Sequence, residues 1–131
     1  MNRDIKFRIW DEAERQMMSW EEVDERDKTG VYQFLDMIEE DGFEVMQYTG
    51  LHDKNGREIY EGDIVKGKHI EIPIHWENIG TDLVGKVVYK PGMFRIIGKT
   101  KTSVKTESGI HSGYEVIGNI YENPSLLEVT P

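Results

Sequence analysis

The stretch from residue 47 to 65 constrains the fold most, because two sharp turns separate short apolar segments within nineteen residues. Asn55-Gly56 tolerates the positive φ angles of a tight type I′ turn, so this pair predicts a β-hairpin. The second turn, Glu61-Gly62-Asp63, leads directly into the β-branched pair Ile64-Val65. Turns this closely spaced leave room only for short strands, which predicts a β-rich domain.

Alternating apolar and polar residues predict strands on both sides of this stretch. Residues 5–10 alternate and form the first predicted strand. The chain is expected to return at 16–20 as a second strand, with Met17 or Met18 and Trp20 facing inward. Gly85 and Gly98 are expected to mark bends or bulges in a later hairpin. The remaining predicted strands are 43–48, 69–76, 84–89, 93–97 and 114–117.

One segment has the spacing of a short amphipathic helix. Apolar residues stand at i, i+3, i+4 and i+7 between Gly30 and Asp41-Gly42, which indicates a helix and not a strand; they are Val31, Phe34, Leu35 and Ile38. Residues 21–30 contain one apolar residue in ten and are predicted to form a solvated loop. Asn123-Pro124 is expected to start a turn that docks Leu126 and Leu127.

These elements predict a mainly β fold: a small, partly closed β-barrel with an N-terminal strand pair and a short helix. Residues 1–131 are expected to form one domain. Within it, residues 1–42 hold the strand pair and helix, and residues 43–131 form the barrel-like core. A chain of 131 residues can bury about two thirds of its unfolded surface, so it is long enough to fold alone.

The composition favours the cytoplasm. The chain has no cysteine, which excludes a disulfide framework and a thiolate metal site. Its first ten residues lack the apolar run of a signal peptide, and no stretch approaches the ~20 apolar residues of a membrane span. We therefore expect a soluble intracellular protein.

The net charge of −9 is concentrated in one segment. Residues 10–44 hold 13 acidic and 3 basic side chains, whereas residues 83–131 hold 4 acidic and 6 basic ones. The overall charge argues against nonspecific nucleic-acid binding, which requires a positive surface against phosphate. The basic residues at 86–105 keep open the alternative of a nucleic-acid-associated factor.

No group of residues matches a known catalytic, metal or cofactor motif. The carboxylates at 58, 61 and 63 do not have calcium-loop spacing and are assigned to turn formation. His69 and His75 lie six residues apart on one strand, about 20 Å at ~3.3 Å per residue, too far to bind one ion. The serines near His111 lack a nucleophile elbow, and the glycines form no phosphate loop. We expect no enzyme activity and no cofactor, and an enzyme of unrecognised type is the third alternative after a protein-binding module and a nucleic-acid-associated factor.

Three blocks of sequence resemble the signature blocks of the YopX family, small proteins encoded by bacteriophages and prophages. These blocks are FRIWD at 7–11, QYTGLHDKNGREIYEGDIV at 47–65 and VIGNIYENPSLLE at 116–128. The resemblance covers nearly the whole chain. It implies a β-rich fold and a phage or prophage origin, and hence action in the cytoplasm of a bacterial host. It brings no established activity or catalytic residue.

The function favoured by the sequence is a noncatalytic module that binds a host or phage protein. The acidic segment would steer a basic partner, and a few buried anchors would supply affinity. Aromatic residues at the barrel mouth and the carboxylates of the second turn are the predicted contacts: Tyr48, Tyr60, Glu61, Asp63 and Trp76.

Self-association is a further expectation. The strand at 69–76 would have four large apolar residues on one face and an exposed backbone edge, which is a template for strand pairing. Pro73 would interrupt this edge without covering it. We expect a homo-oligomer that pairs through this strand, with His69 and His75 near the interface.

Overall fold

The computed structural model describes residues 4–30, 33–69, 80–128 and 130–131. Strands account for 46% and helices for 18% of these residues, so the predicted mainly β class is confirmed. In chain order the elements are β1 Phe7–Asp11, β2 Gln16–Met18, α1 Trp20–Thr29, α2 Phe34–Glu39, β3 Phe43–His52, β4 Glu58–Tyr60, β5 Asp63–His69, β6 Thr81–Lys90, β7 Met93–Lys99, β8 Thr106–Ser108, β9 Glu115–Asn119 and a 3₁₀ helix Pro124–Glu128.

The chain divides into two compact units, Met1–Gly50 and Leu51–Pro131. In the first unit, β1 pairs antiparallel with both β2 and β3, and Ile9 lies opposite Met18 on one side and Val45 on the other. The predicted N-terminal strand pair is therefore confirmed. Because β3 pairs with β1, its residues up to Gly50 belong to the first unit. The core consists of Ile9, Met18, Val23 and Met37.

The loop prediction for residues 21–30 was wrong, because these residues form most of helix α1. Ser19 caps the helix: its Oγ accepts the Glu22 N–H at 3.2 Å, and it lies 3.3 Å from the Glu22 carboxylate. Ser19 and Glu22 have the Ser-x-x-Glu spacing of a capping box, and this cap compensates for the single buried apolar side chain of the helix, Val23. Gly30 ends the helix in the left-handed region at φ 74°.

Helix α2 confirms the predicted helix, but its buried face differs from the predicted one. Met37 is fully buried, and Phe34 packs against the Trp20 ring with centroids 5.6 Å apart. Leu35 is 73% exposed and Ile38 47% exposed. Phe34 and Met37 are three residues apart and point inward. Leu35 and Ile38 are also three residues apart, and they point to solvent. The predicted helix position Val31 lies outside the described residues.

The second unit is built on a five-stranded antiparallel sheet in the order β8-β7-β6-β5-β9. The end strands β8 and β9 do not pair with each other within the described part of the chain, so the barrel is only partly closed. One face of the sheet carries the core, to which β4 also contributes Ile59. The buried members of this core are Ile59, Val65, Leu83, Val87, Ile96, Tyr114 and Val116.

Gly85 and Gly98 lie directly opposite each other in β6 and β7. The register between these strands is unbroken, so neither glycine forms a bulge. The observed irregularity is instead between β5 and β9, at the Ile64/Val65 step. A Cβ on Gly98 would collide with the Val84 carbonyl oxygen, and a Cβ on Gly85 would lie 2.8 Å from Gly98 Cα. The two strands therefore approach closely because both residues lack a side chain.

Two further expectations fall at the ends of this unit. The predicted strand at 69–76 extends beyond the end of β5, and its residues 70–76 lie outside the described part of the chain. The turn predicted from Asn123-Pro124 is confirmed as the 3₁₀ helix, since the Leu126 N–H donates to the Asn123 carbonyl at 3.1 Å. The Asn123 side chain does not cap it but accepts the Asn119 N–H at 3.2 Å.

We predict that Gly98→Ala lowers the free energy of unfolding by about 3 kcal/mol, because the added methyl group must displace backbone atoms of β6. Gly109→Ala is the matched control, since a Cβ there meets only the Arg95 guanidinium at an ordinary 3.6 Å. This control should change stability by less than about 0.5 kcal/mol. Denaturant unfolding measures both. Equal stability of the two variants would contradict the close approach of β6 and β7.

Candidate binding surfaces

The turn between β3 and β4 is organised around the carboxylate of Asp53. This side chain is 6% exposed. Its Oδ1 accepts the backbone N–H groups of Asn55 at 2.8 Å and Arg57 at 2.9 Å, and its Oδ2 accepts that of Val116 at 2.9 Å. One carboxylate therefore closes the turn and joins it to β9.

The hairpin turn is longer than the predicted two-residue type I′ turn. Gly56 has φ 82°, but Asn55 does not have a positive φ, as a type I′ turn would require. Five residues, 53–57, separate the two strands. The turn is longer because the chain wraps around the Asp53 side chain. Its carboxylate accepts backbone N–H groups that, in a two-residue turn, would have to pair between the strands.

The second turn confirms the predicted chemistry of Gly62-Asp63. Gly62 has φ 85°, and Asp63 Oδ2 accepts the Tyr60 N–H at 2.7 Å. The Gly62 N–H also donates to the Val87 carbonyl, and the Gly62 carbonyl accepts the Ile120 N–H, both at 2.9 Å. Asp63 is 1% exposed, so its carboxylate is part of the interior of the second unit.

Hydrogen bonding controls the ionisation of Asp53. Burial alone would raise the pKa of its carboxyl group, but the N–H groups of Val116, Arg57 and Asn55 favour the charged form and leave the pKa below the ordinary 3.8. The charged carboxylate is thus the form that the folded turn requires.

The five residues predicted to contact a partner have different environments. Tyr48, Tyr60 and Asp63 are buried, and Glu61 is partly exposed. Trp76 lies outside the described residues. Tyr48 belongs to the first unit, whereas Tyr60, Glu61 and Asp63 belong to the second. Their role in binding stays a prediction, and Asp63 has a structural role in the Gly62 turn.

The first unit exposes what we call the acidic helical surface, formed by the solvent-facing residues of α1 and α2. Lys28 neutralises one of its carboxylates by pairing with Asp24 at 3.2 Å. Helix α2 adds the exposed apolar side chains Leu35 and Ile38 beside further carboxylates. The surface comprises Glu21, Glu22, Asp24, Glu25, Leu35, Asp36, Ile38 and Glu39.

The second unit exposes what we call the lysine face, on the side of the sheet opposite to its core. Val84 in β6 lies opposite Lys66 in β5 and Lys99 in β7, so lysines flank it on both sides. Lys68 and Lys86 follow at the next outward positions of their strands. Lys54 joins them across a cavity of about 440 Å³ that Lys66 and Lys68 also line. The lysine face comprises Lys54, Lys66, Lys68, Lys86 and Lys99 around Val84.

The serine and histidine residues considered for catalysis make structural hydrogen bonds. His111 contacts the Lys68 carbonyl through Nε2 at 2.8 Å and accepts the Gly113 N–H at Nδ1 at 3.0 Å. Ser108 Oγ donates to the Gly109 carbonyl at 2.9 Å and lies 3.0 Å from the Tyr114 hydroxyl. Among the described residues, no group of three histidine or carboxylate side chains is placed to hold a metal ion.

Residues 6–128 match the family model described as YopX protein. The chain belongs to the YopX family. It is also similar to the crystal structure of protein EF1440 from Enterococcus faecalis, with 28% identity, a TM-score of 0.58, and coverage of 96% of this chain and 99% of that chain. No curated protein matches it. Within the part of this YopX-family chain that the structure describes, no helix is long and apolar enough to cross a membrane.

Sequence reasoning missed Asp53 and the lysine face. Asp53 directly precedes the Lys54-Asn55-Gly56 turn, and an aspartate at such a position is a known Asx-turn signal. The lysines are separated by up to 45 positions in the sequence, from Lys54 to Lys99. Only the pairing of β5, β6 and β7 brings them together.

We predict that Asp53→Asn lowers the free energy of unfolding at pH 7 by about 1–3 kcal/mol, since an amide cannot accept all three N–H bonds. The folded-state pKa is lowered, so this stabilisation is present above pH 3.8 and is lost as the pH falls through the folded value. The difference in the free energy of unfolding between wild type and variant should therefore become smaller between pH 5 and pH 2. Urea unfolding measures it. Asp41→Asn, at an exposed site, is the control. A constant gap would contradict this assignment.

We predict that Gly62→Val destabilises the fold by at least about 2 kcal/mol, because a β-branched residue is strained at φ 85°. Gly109→Val places the same side chain at an exposed glycine without a positive φ and should have a small effect. Thermal unfolding compares them. A Gly62→Val protein that melts with the wild type would show that the turn does not depend on this conformation.

Proposed function

We propose that this YopX-family protein is a noncatalytic, phage- or prophage-encoded binding module that binds a basic host or phage protein in the bacterial cytoplasm. The observation that carries the proposal is the pair of exposed apolar side chains, Leu35 and Ile38, within a surface of carboxylates. Such a surface is complementary to a partner segment with apolar and basic side chains.

Leu35 and Ile38 are suitable anchors. They lie one turn apart on α2, so together they form a single apolar stripe. The opposite side of α2 is fixed by Met37 in the core and by Phe34 against Trp20. The Asp27 carboxylate also accepts the Phe34 N–H at 2.9 Å and ties the start of α2 to α1. The anchors are therefore held on a supported helix, which reduces the entropy lost on binding.

The charge around the anchors provides steering. Residues 1–50 hold 14 acidic and 6 basic side chains, a net charge of −8. Rim charges of one sign raise the association rate with an oppositely charged partner and depend strongly on ionic strength. They also disfavour acidic partners, so they contribute to specificity.

The absence of enzyme activity is part of the proposal. The hydrogen bonds of Ser108 and His111 support it, since Ser108 donates to the Gly109 carbonyl and His111 contacts the Lys68 carbonyl. Homo-oligomerisation through residues 69–76 is a separate proposal that does not involve the acidic helical surface.

We predict that Leu35→Ser/Ile38→Ser weakens binding of a helical peptide with leucines at i, i+3 and i+4 and lysines elsewhere. Each lost anchor is worth about 1 kcal/mol, so the pair should cost about 2 kcal/mol, or roughly thirtyfold in affinity. Fluorescence anisotropy of the labelled peptide measures this. A peptide of identical composition and scrambled order should bind more weakly to the wild type and be insensitive to the substitutions.

The matched control is Leu51→Ser/Val104→Ser, which removes two exposed apolar side chains from the second unit. It should leave peptide affinity unchanged. Capture from bacterial lysate with wild type and with the Leu35/Ile38 variant then identifies proteins retained only by intact anchors. Equal peptide affinity of wild type and the Leu35/Ile38 variant would reject the proposed surface.

A further inference from the structure

The net charge of −9 is divided unequally between the two units, so it does not describe the charge of either unit. Residues 51–131 hold 11 acidic and 10 basic side chains, a net charge of only −1. The acidic excess that argues against polyanion binding therefore belongs to residues 1–50. The second unit is close to neutral overall, so a local cluster of lysines on it can present a positive surface.

The lysine face is such a cluster. Its five lysines come from the 53–57 turn and from three adjacent strands. Neighbouring strands are about 4.8 Å apart, and residues two positions apart on one strand about 6.7 Å. The ammonium groups of Lys66, Lys68, Lys86 and Lys99 thus spread in two directions around Val84.

Nearby carboxylates neutralise only part of this charge. Glu115 lies 3.5 Å from the Lys54 ammonium and 3.8 Å from that of Lys66. Asp82 lies 2.6 Å from the Lys68 ammonium, which lowers the pKa of Asp82. Five lysines and two carboxylates leave a local charge of +3 at neutral pH. Lys86 and Lys99 have no ion-pair partner among the described residues.

The chemistry of the surface between the lysines indicates which anion it fits. Val84 and Ile97 line a second, smaller cavity of about 180 Å³ beside Lys86 and Lys99. No aromatic side chain lies on this side of β5, β6 or β7 in the described part of the chain, since Tyr89 and Phe94 alternate onto the other side. Unstacked bases of a single strand would have no ring to stack on. Lysines act as point charges toward phosphate and do not read bases.

We propose that the lysine face binds the phosphate backbone of double-stranded nucleic acid, without sequence preference. A duplex presents a continuous row of phosphates, which suits ammonium groups distributed over three strands. This site is separate from the acidic helical surface and does not depend on the proposed protein partner.

The test is binding of a fluorescein-labelled 20-base-pair DNA duplex to the full chain, measured by anisotropy at several salt concentrations between 25 and 200 mM. The wild type should bind at low salt and release the duplex steeply as salt rises. Lys86→Gln/Lys99→Gln should lose roughly tenfold in affinity at low salt. The slope of log affinity against log salt should fall by about 2, one for each lost phosphate contact.

The control is Arg15→Gln/Lys28→Gln, which removes the same charge from the first unit and should leave both affinity and slope unchanged. Melting temperatures confirm that each variant is folded. No binding at 25 mM salt, or equal binding by the Lys86/Lys99 variant, would overturn the proposal. Equally tight, Lys86/Lys99-dependent binding of polyglutamate would assign the surface to an acidic protein. Displacement of the duplex by inorganic phosphate at constant ionic strength would assign it to a small anion.

Discussion

The carboxylate of Asp53 is the interaction on which the second unit depends most. It accepts three backbone N–H groups, two from its own turn and one from Val116, 63 residues further along the chain. The backbone adds a parallel link, since the Lys54 N–H donates to the Tyr114 carbonyl at 2.9 Å. A buried carboxylate is unfavourable without such donors. Here the donors come from the first turn and from the last strand of the second unit. All hydrogen bonds to the carboxylate therefore form only when these two segments are in contact.

The same solution recurs at three other buried polar residues. Asp11 accepts the Glu14 N–H after β1, and Thr100 accepts the Ser103 N–H after β7. Asn119 accepts the N–H groups of Tyr121 and Glu122 after β9. Each side chain lies at the end of a strand, where the backbone leaves the sheet and its N–H groups lose their partners. These short polar side chains therefore satisfy the backbone where β1, β7 and β9 end.

The sequence predicted the elements whose signal is local. The Gly62-Asp63 turn, the strand pair before residue 20 and the turn after Asn123 depend on neighbouring residues, and all three are present. Helix α1 was predicted as a loop because its residues lack the apolar periodicity of an amphipathic helix. The spacing of Ser19 and Glu22, which is that of a capping box, was the signal that indicated a helix. The stripe of α2 was misassigned because Leu35 and Ile38 are apolar yet exposed. Periodicity shows that residues share a face and does not show what covers that face.

The sequence alone did not predict that either group of residues forms a surface. The acidic excess of residues 10–44 was evident, but its combination with an exposed apolar stripe required the helices. The lysine face could be recognised only from the register of the strands. Lys66 and Lys99 are 33 positions apart, and both lie opposite Val84 because β5 and β7 pair with opposite edges of β6. A one-residue slip of β5 or β7 against β6 would turn that strand's lysines toward the core. The core residues Val65, Leu83, Val87 and Ile96 fix the register, so the apolar side of the sheet determines the charge pattern on the other side.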